Sequence, residues 1–340
     1  MEVKFSLPAE WEKHKSIWLA WPYDAITFPD RIKSVEERYC EIIKAVEGSE
    51  AVNLLVKDDD MKMRVRALLE KHLIDLSNIA FFISDYADVW MRDYAPMFVK
   101  DAEGKKVPIK WNYNAYGGKF PDLLKDNEVF TDIAQRFDIA MIDAGIVMEG
   151  GALEYNGAGT LLTTEQCLLN QNRNPELSKE RIEATLKQYT GTEKIIWLKE
   201  GIVNDHTDGH VDDIAKFINP TTIMCAYEDD ENDPNFTILD ANFTQLQNET
   251  DASGNPFTLI KLPMPHMNYD DGEKAPASYV NFYIGNSVVI VPTFSDPNDA
   301  RALEIIKKAF PEKKTVSIDC SDIIYGGGAI HCITHEEPAA

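Results

Sequence analysis

The chain has 340 residues, a length that fits one large domain or two domains of medium size. Hydrophobic residues make up 44% of it and charged residues 27%, as is typical of globular proteins. The formal net charge of −23 argues against a nucleic-acid-binding surface, because phosphates are bound by Lys and Arg. An acidic chain attracts cations instead.

The N-terminus and the cysteines indicate where such a chain resides. No apolar run reaches the length of about eighteen residues that a membrane span needs, and the N-terminus lacks the basic and apolar pattern of a signal peptide. Five cysteines without a CxxC spacing indicate free thiols in a reducing compartment, so we expect a cytoplasmic protein. Cys40, in a helical pattern, and Cys225, in an apolar run, are expected in the core.

The predicted strands and helices alternate along the chain. The N-terminal part is predicted to contain strands over 16–21, 51–56 and 79–84 and helices over 32–46 and 61–72. Later helices are expected over 127–137, from Pro175 to residue 189, over 235–247, and after Asp296. Further extended segments are expected over 139–142 and 194–198. Two hairpins are predicted, pairing 152–155 with 159–163 and 279–284 with 287–291.

This alternation predicts an α/β protein. Helix centres near residues 40, 132, 182, 241 and 304 indicate about five strand-and-helix modules and suggest a radial repeat. The hairpins depart from a doubly wound parallel sheet. No stretch is rich enough in Pro, Gly or Ser to be a linker, so residues 1–340 are expected to form a single domain. The acidic insert over 228–233 is predicted to be a solvated loop.

Four segments that follow predicted strands carry polar side chains that an ordinary loop does not need. They are 85–96 with Asp88, Trp90, Arg92 and Asp93, 148–151 with Glu149, 204–213 with Asp205, His206, Asp208, His210, Asp212 and Asp213, and the C-terminal segment with Cys332. If the strands converge around a central axis, these segments meet at one end of the molecule.

The C-terminal segment offers a nucleophile. Cys332 follows the glycines at 326–328, which let the backbone approach a bound group closely, and it is expected at the start of a short strand. A thiolate is a strong nucleophile, and the imidazole of His210 can carry a proton near neutral pH. Taken alone, Cys332 can equally be a small buried residue and His210 a loop residue with satisfied hydrogen bonds.

The carboxylates indicate what such a nucleophile would attack. Asp93, Glu149 and Asp212 can each accept two N–H bonds from one edge of a planar guanidinium group. Trp90 offers a flat face to a delocalised cation. Together these side chains favour a guanidine-binding site over a carboxylate or phosphate site. The structural alternatives are that Glu149 caps a turn and that Trp90 and Trp21 are core aromatic residues.

Two other features have competing interpretations. His206 and His210 are four residues apart, as in some zinc sites, but Gly209 disfavours the helix that such a pair needs. We therefore expect no metal. Arg92, next to Asp93, is expected to form a structural ion pair.

Motifs in four places favour the catalytic interpretation of these residues over the structural alternatives. They are 90–96 (WMRDYAP), 149–151 (EGG), 207–212 (TDGHVD) and 326–332 (GGGAIHC), and the N-terminal segment 8–14 (PAEWEKH) accompanies them. In this order, over essentially the whole chain, the sequence resembles the agmatine deiminases, or agmatine iminohydrolases, which are related to the bacterial-type peptidylarginine deiminases.

The resemblance implies the pentein fold, a five-bladed α/β propeller with pseudo-fivefold symmetry and the active site on its axis. It also implies residue roles, with Cys332 as the nucleophile and His210 as the acid and base. Asp93, Glu149 and Asp212 match the guanidinium-binding carboxylates, and Glu149 also assists proton transfer. The resemblance further implies that Trp90 covers the guanidinium group and that no metal or organic cofactor is needed.

The expected reaction is hydrolysis of agmatine, a small cation, to N-carbamoylputrescine and ammonia through a covalent S-alkylthiouronium intermediate. The acidic loops favour agmatine over arginine, whose α-carboxylate needs a cationic partner. Asp205 or the region of Trp21 is expected to hold the distal amine. Lys216 and the tail at 335–337 (HEE) depart from the family's pattern and are expected to lie outside the chemistry. Relatives suggest a homodimer.

Other functions stay open at this point. A deiminase of free or peptidyl arginine would share the chemistry and would be ranked by ammonia assays on each substrate. A non-catalytic pentein-like binding protein would share the fold but need no thiol. A metal hydrolase using His206 and His210 would lose activity with a chelator and resist thiol alkylation.

Overall fold

The computed structural model describes residues 4–24 and 26–339. Its strands are β1 (His14–Ala20), β2 (Ala51–Val56), β3 (Ile79–Ile83), β4 (Met97–Lys100), β5 (Lys106–Asn112), β6 (Ile142–Val147), β7 (Glu154–Tyr155), β8 (Thr160–Thr164), β9 (Lys194–Leu198), β10 (Ala215–Asn219), β11 (Thr222–Tyr227), β12 (Thr258–Pro263), β13 (Tyr283–Ile284), β14 (Val288–Thr293), β15 (Lys314–Asp319) and β16 (His335–Pro338). Its α-helices are α1 (Ile32–Val46), α2 (Asp59–Lys71), α3 (Met91–Tyr94), α4 (Ala115–Gly118), α5 (Asp126–Arg136), α6 (Glu165–Leu168), α7 (Lys179–Thr190), α8 (Phe236–Gln247), α9 (Asp299–Ala309) and α10 (Ile330–Ile333). Short 3₁₀ helices occupy Leu76–Asn78, Pro121–Leu123, Gly150–Ala152, Val211–Asp213 and Ile323–Gly326.

The strands of the described residues form five small sheets. Four of them have three strands each, namely β4–β6, β7–β9, β10–β12 and β13–β15. In each of these sheets the first strand is antiparallel to the second, and the second is parallel to the third. A parallel pair requires a long crossover, and at least one helix lies in every crossover. One β–β–α–β unit is therefore repeated along the chain.

The remaining sheet joins the two ends of the chain. Its strand order is β16-β1-β2-β3, with β16 antiparallel to β1 and the other neighbours parallel. Ile17 lies opposite Glu336 and Trp18 opposite His335 in this pairing. This sheet thus repeats the same unit, with β16 from the C-terminal end of the chain as its first strand. The N- and C-terminal segments therefore depend on each other for their backbone hydrogen bonds.

The helices pack one apolar face against the sheets. In α1 the residues Val35, Tyr39 and Ile42 recur at helical spacing and are fully buried. Burial of one such side chain contributes about 1.5–3 kcal/mol. Helix α7 begins where the side chain of Ser178 accepts a backbone N–H bond and ends at Gly191, whose φ of +70° favours glycine.

The five repeated units confirm the α/β class and the predicted number of modules. The strands expected over 51–56 and 194–198 coincide with β2 and β9. Some boundaries were wrong. Strand β6 begins only at Ile142, β13 begins only at Tyr283, and Ser178 rather than Pro175 precedes α7. Cys332 does not begin a strand but lies in α10, ahead of β16.

Other expectations concern burial. Cys40 and Cys225 lie in the core, as predicted. The insert 228–233 is exposed over 229–232, but Glu228 is buried. Within the described ranges, no helix combines the length and the apolar character that a membrane crossing requires.

Candidate active site

Short segments that directly precede the first strand of a sheet come together in space. Helix α3 precedes β4, the turn Gly150–Ala152 precedes β7, the turn Val211–Asp213 precedes β10, and α10 precedes β16. Helix α3 contacts both α10 and the Gly150–Ala152 turn, and that turn contacts Val211–Asp213. The repeated fold thereby brings together the segments that carry Asp93, Glu149, Asp212 and Cys332, as expected from the sequence.

Gly151 shows how closely these segments approach one another. A Cβ atom on Gly151 would lie 2.5 Å from Nδ1 of His210, 2.9 Å from Oδ1 of Asp93 and 3.2 Å from Oδ2 of Asp212. Its backbone N–H donates to Oδ1 of Asp93 over 3.0 Å. A side chain at this position would push apart the groups that the site needs, so glycine is required here for space.

A cavity of about 410 Å³ opens beside these segments. Its wall includes Asp93, Trp90 and Cys332. A Cβ atom on Gly328 would lie 2.8 Å from the Trp90 ring and 3.0 Å from Sγ of Cys332, so the indole and the sulfur flank the same glycine. Nε1 of Trp90 donates to Oδ2 of Asp88 over 2.9 Å, which fixes the ring. The cavity can therefore hold a flat group between an aromatic ring, a carboxylate and a thiol.

Three of the predicted residues, His210, Glu149 and Asp212, are buried behind this wall. Nε2 of His210 lies 3.8 Å from Oε2 of Glu149, and Nδ1 lies 3.7 Å from Oδ1 of Asp93. The guanidinium of Arg173 contacts Glu149 through Nε at 2.8 and 3.1 Å. Carboxylates thus flank the imidazole at both ring nitrogens.

The sulfur of Cys332 faces Asp212, whose Oδ2 lies 3.8 Å away. Two buried polar atoms, Oδ1 of Asp212 and Nε2 of His210, have no hydrogen-bond partner within the described residues. A buried acceptor without a partner costs about 1–3 kcal/mol. A bound N–H donor would remove that cost, so Asp212 is prepared for a ligand that donates hydrogen bonds.

Residues 6–338 match the family of Porphyromonas-type peptidyl-arginine deiminases. The chain belongs to this family. It is 36% identical to the agmatine deiminase of Stutzerimonas stutzeri, over 98% of this chain and 96% of that protein.

Solved structures of the family agree with this fold. The agmatine deiminase of Enterococcus faecalis, described as catalysing its reaction, superposes with a TM-score of 0.89 at 34% identity, over 98% of this chain and 96% of that one. A Cys-to-Ser variant of the C. jejuni agmatine deiminase with substrate bound has the same TM-score at 28% identity, over 98% of this chain and 96% of that one. The α/β fold of this chain is therefore the fold of the family.

The electrostatics of this cluster favour the protonated thiol. Burial raises the pKa of Cys332 well above its ordinary value, and the neighbouring Asp212, Asp213 and Asp93 raise it further. Burial also raises the pKa of Asp93 to about 6, with Asp212 and Glu149 adding to the rise while His210 and Tyr116 oppose it. The groups around the sulfur are thus short of positive charge, and a bound cation would favour the thiolate.

The imidazole behind the wall is held in its charged form. Burial by itself would lower the pKa of His210, but Asp93, Cys167 and Glu149 raise it well above its ordinary value. Burial likewise would raise the pKa of Glu149, yet His210 and Arg173 outweigh it and the pKa is lowered. The pair therefore exists as imidazolium and carboxylate, and His210 can donate a proton to a leaving group.

Two predicted substrate contacts, Trp21 and Asp205, have other partners in the structure. Trp21 is fully buried, and its Nε1 donates to Oε1 of Glu36 over 2.9 Å. The carboxylate of Asp205 accepts backbone N–H bonds from residues 207, 209 and 210 and so shapes the turn before His210. Neither residue lines the cavity, and the contact of either one with a substrate amine stays a prediction. Arg92 forms the expected structural ion pair, with its Nη2 2.8 Å from Oε2 of Glu336.

Sequence analysis missed several residues of the site. The hydroxyl of Tyr116 donates to Oδ2 of Asp93 over 2.7 Å. Arg173 and Cys167 adjoin Glu149, and His331 lies 2.7 Å from Asp212. Tyr116, Cys167 and Arg173 lie outside the motifs of the sequence analysis, and His331 was quoted only as part of one. Each of them reaches the site through contacts between distant parts of the chain, which local sequence patterns do not show.

Groups of atoms close enough to ligate a metal also occur in the described part of the chain. Two of them overlap the site, namely Glu149 with Cys167 and His210, and Asp212 with Asp213 and Cys332. In the first, Arg173 already neutralises Glu149. A third group, Glu228 with Asp233 and His266, lies elsewhere, and Lys274 already pairs with its Asp233.

Proposed function

We propose that this protein hydrolyses agmatine to N-carbamoylputrescine and ammonia. The family relationship and the agmatine deiminases among its relatives support this reaction. The proposal depends on one structural observation, namely that the sulfur of Cys332, the carboxylate of Asp93 and the ring of Trp90 line one cavity. A planar cation is the ligand that fits these three groups together.

The guanidinium group is held by hydrogen bonds to carboxylates. Asp93 faces the cavity, and the unpartnered Oδ1 of Asp212 supplies a further acceptor. The ring of Trp90 covers the planar face. Because these groups fix the carbon of the guanidinium near the sulfur, positioning contributes several kcal/mol to the rate, out of an upper range of about 7–11 kcal/mol.

The first half of the reaction breaks a C–N bond. The substrate's charge lowers the pKa of the Cys332 thiol, whose proton leaves to water. The thiolate attacks the guanidinium carbon and forms a tetrahedral adduct. His210 then gives its proton to the departing nitrogen, so that ammonia leaves and an S-alkylthiouronium remains on the sulfur. Glu149 stabilises the imidazolium until this transfer.

The second half returns the enzyme to its starting state. Neutral His210 takes a proton from a water molecule, which attacks the same carbon. The C–S bond breaks, the thiolate is released, and the hydroxyl of the adduct loses its proton to water as the neutral ureido group forms in place of the guanidinium. The thiolate takes up a proton from water when the product leaves, so the thiol and the imidazolium are restored. In sum, guanidinium and water become a ureido compound and ammonium, and the chemistry uses side chains of this chain throughout.

The cavity wall favours a substrate with a cationic far end. Lys119 is the single Lys or Arg among the described residues that line it, and its Nζ already pairs with Asp208. Asp24, Asp88 and Asp122 also line the wall. Agmatine ends in an ammonium group that suits these carboxylates, whereas the α-carboxylate of arginine finds no free cation among the described lining residues. The deiminases of free or peptidyl arginine are therefore the less favoured alternatives.

Ammonia release from agmatine, arginine and a benzoyl-arginine amide tests the substrate. We expect turnover of agmatine in preference to both others, and equal or faster turnover of either arginine compound would refute the assignment. Mass spectrometry of enzyme quenched during turnover should show an adduct on the peptide that contains Cys332. Cys332→Ala should bind agmatine without releasing ammonia, and residual release would contradict the covalent route.

We also propose that the five sheets surround one axis as the blades of a pentein propeller and that the chain is a single domain. The repeated unit, the mutual contacts of the segments before β4, β7 and β10, and the pairing of β16 with β1 support this arrangement. Removal of residues 335–340 should then lower the stability of the whole chain in one cooperative transition. A separate transition of the N-terminal sheet alone would argue against it.

Two expectations from the sequence stay predictions. A homodimer would be seen by light scattering coupled to size-exclusion chromatography, and a mass equal to one chain would reject it. A cytoplasmic location would be tested by cell fractionation of the natural host.

A further inference from the structure

The four-residue element α4 supplies Tyr116 to the wall of the cavity through an unusual backbone conformation. Ala115 and Tyr116 have φ angles of +57° and +56°, and the two glycines that follow them have +77° and +78°. Glycine adopts such angles readily, whereas other residues rarely do. A departure of this kind at a cavity wall directs attention to the side chain that it positions.

Neighbouring segments hold the turn in this conformation. Oδ1 of Asn114 accepts the backbone N–H of Gly117 over 2.8 Å, and Nδ2 of Asn114 donates to the carbonyl of Asn172 over 2.9 Å. A Cβ atom on Gly117 would lie 2.3 Å from Cγ of Asn172, so the backbone approaches that residue closely. These contacts fix the direction in which the chain presents Tyr116.

The side chain of Tyr116 is directed at Asp93. Its hydroxyl donates to Oδ2 of Asp93 over 2.7 Å, and its buried ring packs edge to face against Tyr113, with 5.3 Å between the ring centroids. Oδ1 of Asp93 accepts the backbone N–H of Gly151 over 3.0 Å. Each carboxylate oxygen thus has one donor from the protein and keeps a lone pair for an N–H group of a ligand.

The groups around Asp93 explain why such a donor matters. The titratable side chains that face Asp93 come from four segments and are those of Tyr113, Tyr116, Glu149, His210, Asp212 and Cys332. Burial, together with Asp212 and Glu149, raises the pKa of Asp93 to about 6, while His210 and the bond from Tyr116 oppose the rise. Protonation of Asp93 therefore begins to compete with cation binding just below neutral pH.

The phenol of Tyr116 stays a donor throughout this range. Burial, and then the charge of Asp93, raises the pKa of Tyr116 well above its ordinary value. The phenol therefore keeps its proton, and the bond to Asp93 has a fixed direction from hydroxyl to carboxylate.

We propose that Tyr116 is a positioning residue, whose hydroxyl orients the Asp93 carboxylate and stabilises its anion for the cation that binds in the cavity. Tyr116 acts through Asp93, so loss of the hydroxyl alone should remove the effect. The inference rests on the proposed function in one respect, namely that Asp93 binds a guanidinium group.

Tyr116→Phe tests the proposal, because it removes one oxygen atom and leaves the ring in place. Loss of a hydrogen bond to the anion raises the pKa of a carboxyl group. The acid limb of kcat/KM for agmatine should therefore move by about one unit to higher pH, so that kcat/KM falls about 10-fold on the acid side of the profile. At alkaline pH, where Asp93 is ionised in both proteins, the two values should agree within about threefold.

The shape of the profile separates positioning from a purely structural role. A structural defect would lower kcat/KM by the same factor at every pH, whereas loss of the Asp93 anion is reversed when the pH is raised. Tyr279→Phe is the matched control, because the hydroxyl of Tyr279 donates to Oδ1 of Asp299, also over 2.7 Å, and neither of these two residues lines the cavity. Its profile should equal that of the wild type.

Infrared titration of substrate-free enzyme supplies a measurement that needs no agmatine. The C=O stretch of protonated Asp93 is assigned as the band that Asp93→Asn lacks, and its intensity is followed against pH. We expect a midpoint of about 6 in the wild type and a midpoint about one unit higher in Tyr116→Phe.

The outcomes distinguish this inference from the proposed function. Equal midpoints in the wild type and in a Tyr116→Phe protein that is folded by circular dichroism would overturn the inference even if agmatine is hydrolysed. A kcat/KM that falls uniformly over the whole profile would overturn it as well. A raised midpoint in Tyr116→Phe, with a wild type that does not act on agmatine, would support the role of Tyr116 and reject the substrate.

Discussion

Nδ1 of His331 lies 2.7 Å from Oδ2 of Asp212, and both side chains are buried. The other ring nitrogen of His331 lies 2.9 Å from Oε2 of Glu10, which in turn lies 2.7 Å from Nζ of Lys216. Burial would raise the pKa of Asp212, but His331, together with His210 and Lys216, lowers it. A chain of buried polar and charged side chains therefore holds Asp212 as an oriented carboxylate. Lys216, expected to lie outside the chemistry, is part of that chain.

Substitution of His331 should weaken the binding of the guanidinium group by Asp212. His331→Gln keeps a donor for one carboxylate but cannot reach both Asp212 and Glu10. We expect kcat/KM for agmatine to fall by about 10- to 100-fold, the usual range for residues that orient a functional group. His331→Asn should recover part of the loss if it keeps the bond to Asp212, and steady-state kinetics of both variants would show this.

A purely structural role of His331 makes a different prediction. It would lower the melting temperature of His331→Gln and leave the kinetics of the remaining folded enzyme unchanged, and that result would contradict positioning of Asp212. His266→Gln is the control, since His266 is half exposed and pairs with Glu228 away from the cavity.

Removal of the charge of Glu149 should change the pH dependence of turnover. Because this carboxylate helps to raise the pKa of His210, Glu149→Gln lowers that pKa, and the imidazole loses its proton at a lower pH. The alkaline limb of kcat/KM should therefore move to lower pH, and the maximal rate should fall by about 10²- to 10⁴-fold. Arg173 keeps Asp208 as a partner, with its Nη1 2.7 Å from Oδ2 of Asp208, so the variant is expected to fold.

The measurement is a pH–rate profile of agmatine hydrolysis with both proteins. Glu165→Gln, which removes a carboxylate that is paired with Lys179 on the surface, should keep the wild-type profile. An alkaline limb of Glu149→Gln that coincides with the wild type would rule out the coupling of Glu149 to His210.

Local sequence patterns were sufficient to predict the repeated units and four segments of the candidate site. Periodicity indicates the helices and strands, and clustered acids, Trp90, Glu149, His210 and Cys332 mark the segments that precede β4, β7, β10 and β16. Each of these signals lies within a few neighbouring residues. The same patterns could not give exact boundaries, because whether Pro175 or Ser178 starts a helix depends on which side chain reaches a free backbone N–H.

Contacts between distant residues were beyond prediction. Glu10 lies more than 300 positions before His331, and Asn281 is fifty positions before its partner His331 in the sequence. The region of Trp21 was expected to hold the distal amine, but the indole of Trp21 donates to Glu36 of α1 and packs into the core. Arg173 has no motif, and its role follows only from the folded position of Glu149.

The carboxylates at the cavity wall should contribute to binding of the ammonium end of agmatine. Asp122 is exposed and lines the cavity, so Asp122→Asn should raise KM for agmatine by about two- to fivefold without changing kcat, as expected for a solvated ion pair. The effect should shrink at high salt. Asp132→Asn, an exposed change on α5, is the control. A KM that stays constant in Asp122→Asn at low salt would exclude Asp122 as a contact of the amine.

The stability of the sheet that joins the chain ends should depend on pH through His335. Its Nε2 donates to the carbonyl of Pro96 over 2.9 Å, while Nδ1 is buried without a hydrogen-bond partner among the described residues. Burial, with the nearby charge of Arg92, lowers the pKa of His335 to about 4. Protonation is therefore easier in the unfolded chain, where the pKa is about 6.5. The stabilising effect of neutral His335 is present above pH 6.5 and is lost as the pH falls towards 4.

His335→Gln keeps an N–H donor but does not titrate. Between pH 7.5 and pH 5 the wild type should lose about 2 kcal/mol of unfolding free energy more than the variant, since one pKa unit corresponds to about 1.4 kcal/mol. Urea unfolding at a series of pH values measures this difference, and contributions from other groups cancel because they occur in both proteins. Parallel curves for the two proteins over this range would show that His335 titrates normally and does not couple closure of the β16–β1 pair to pH.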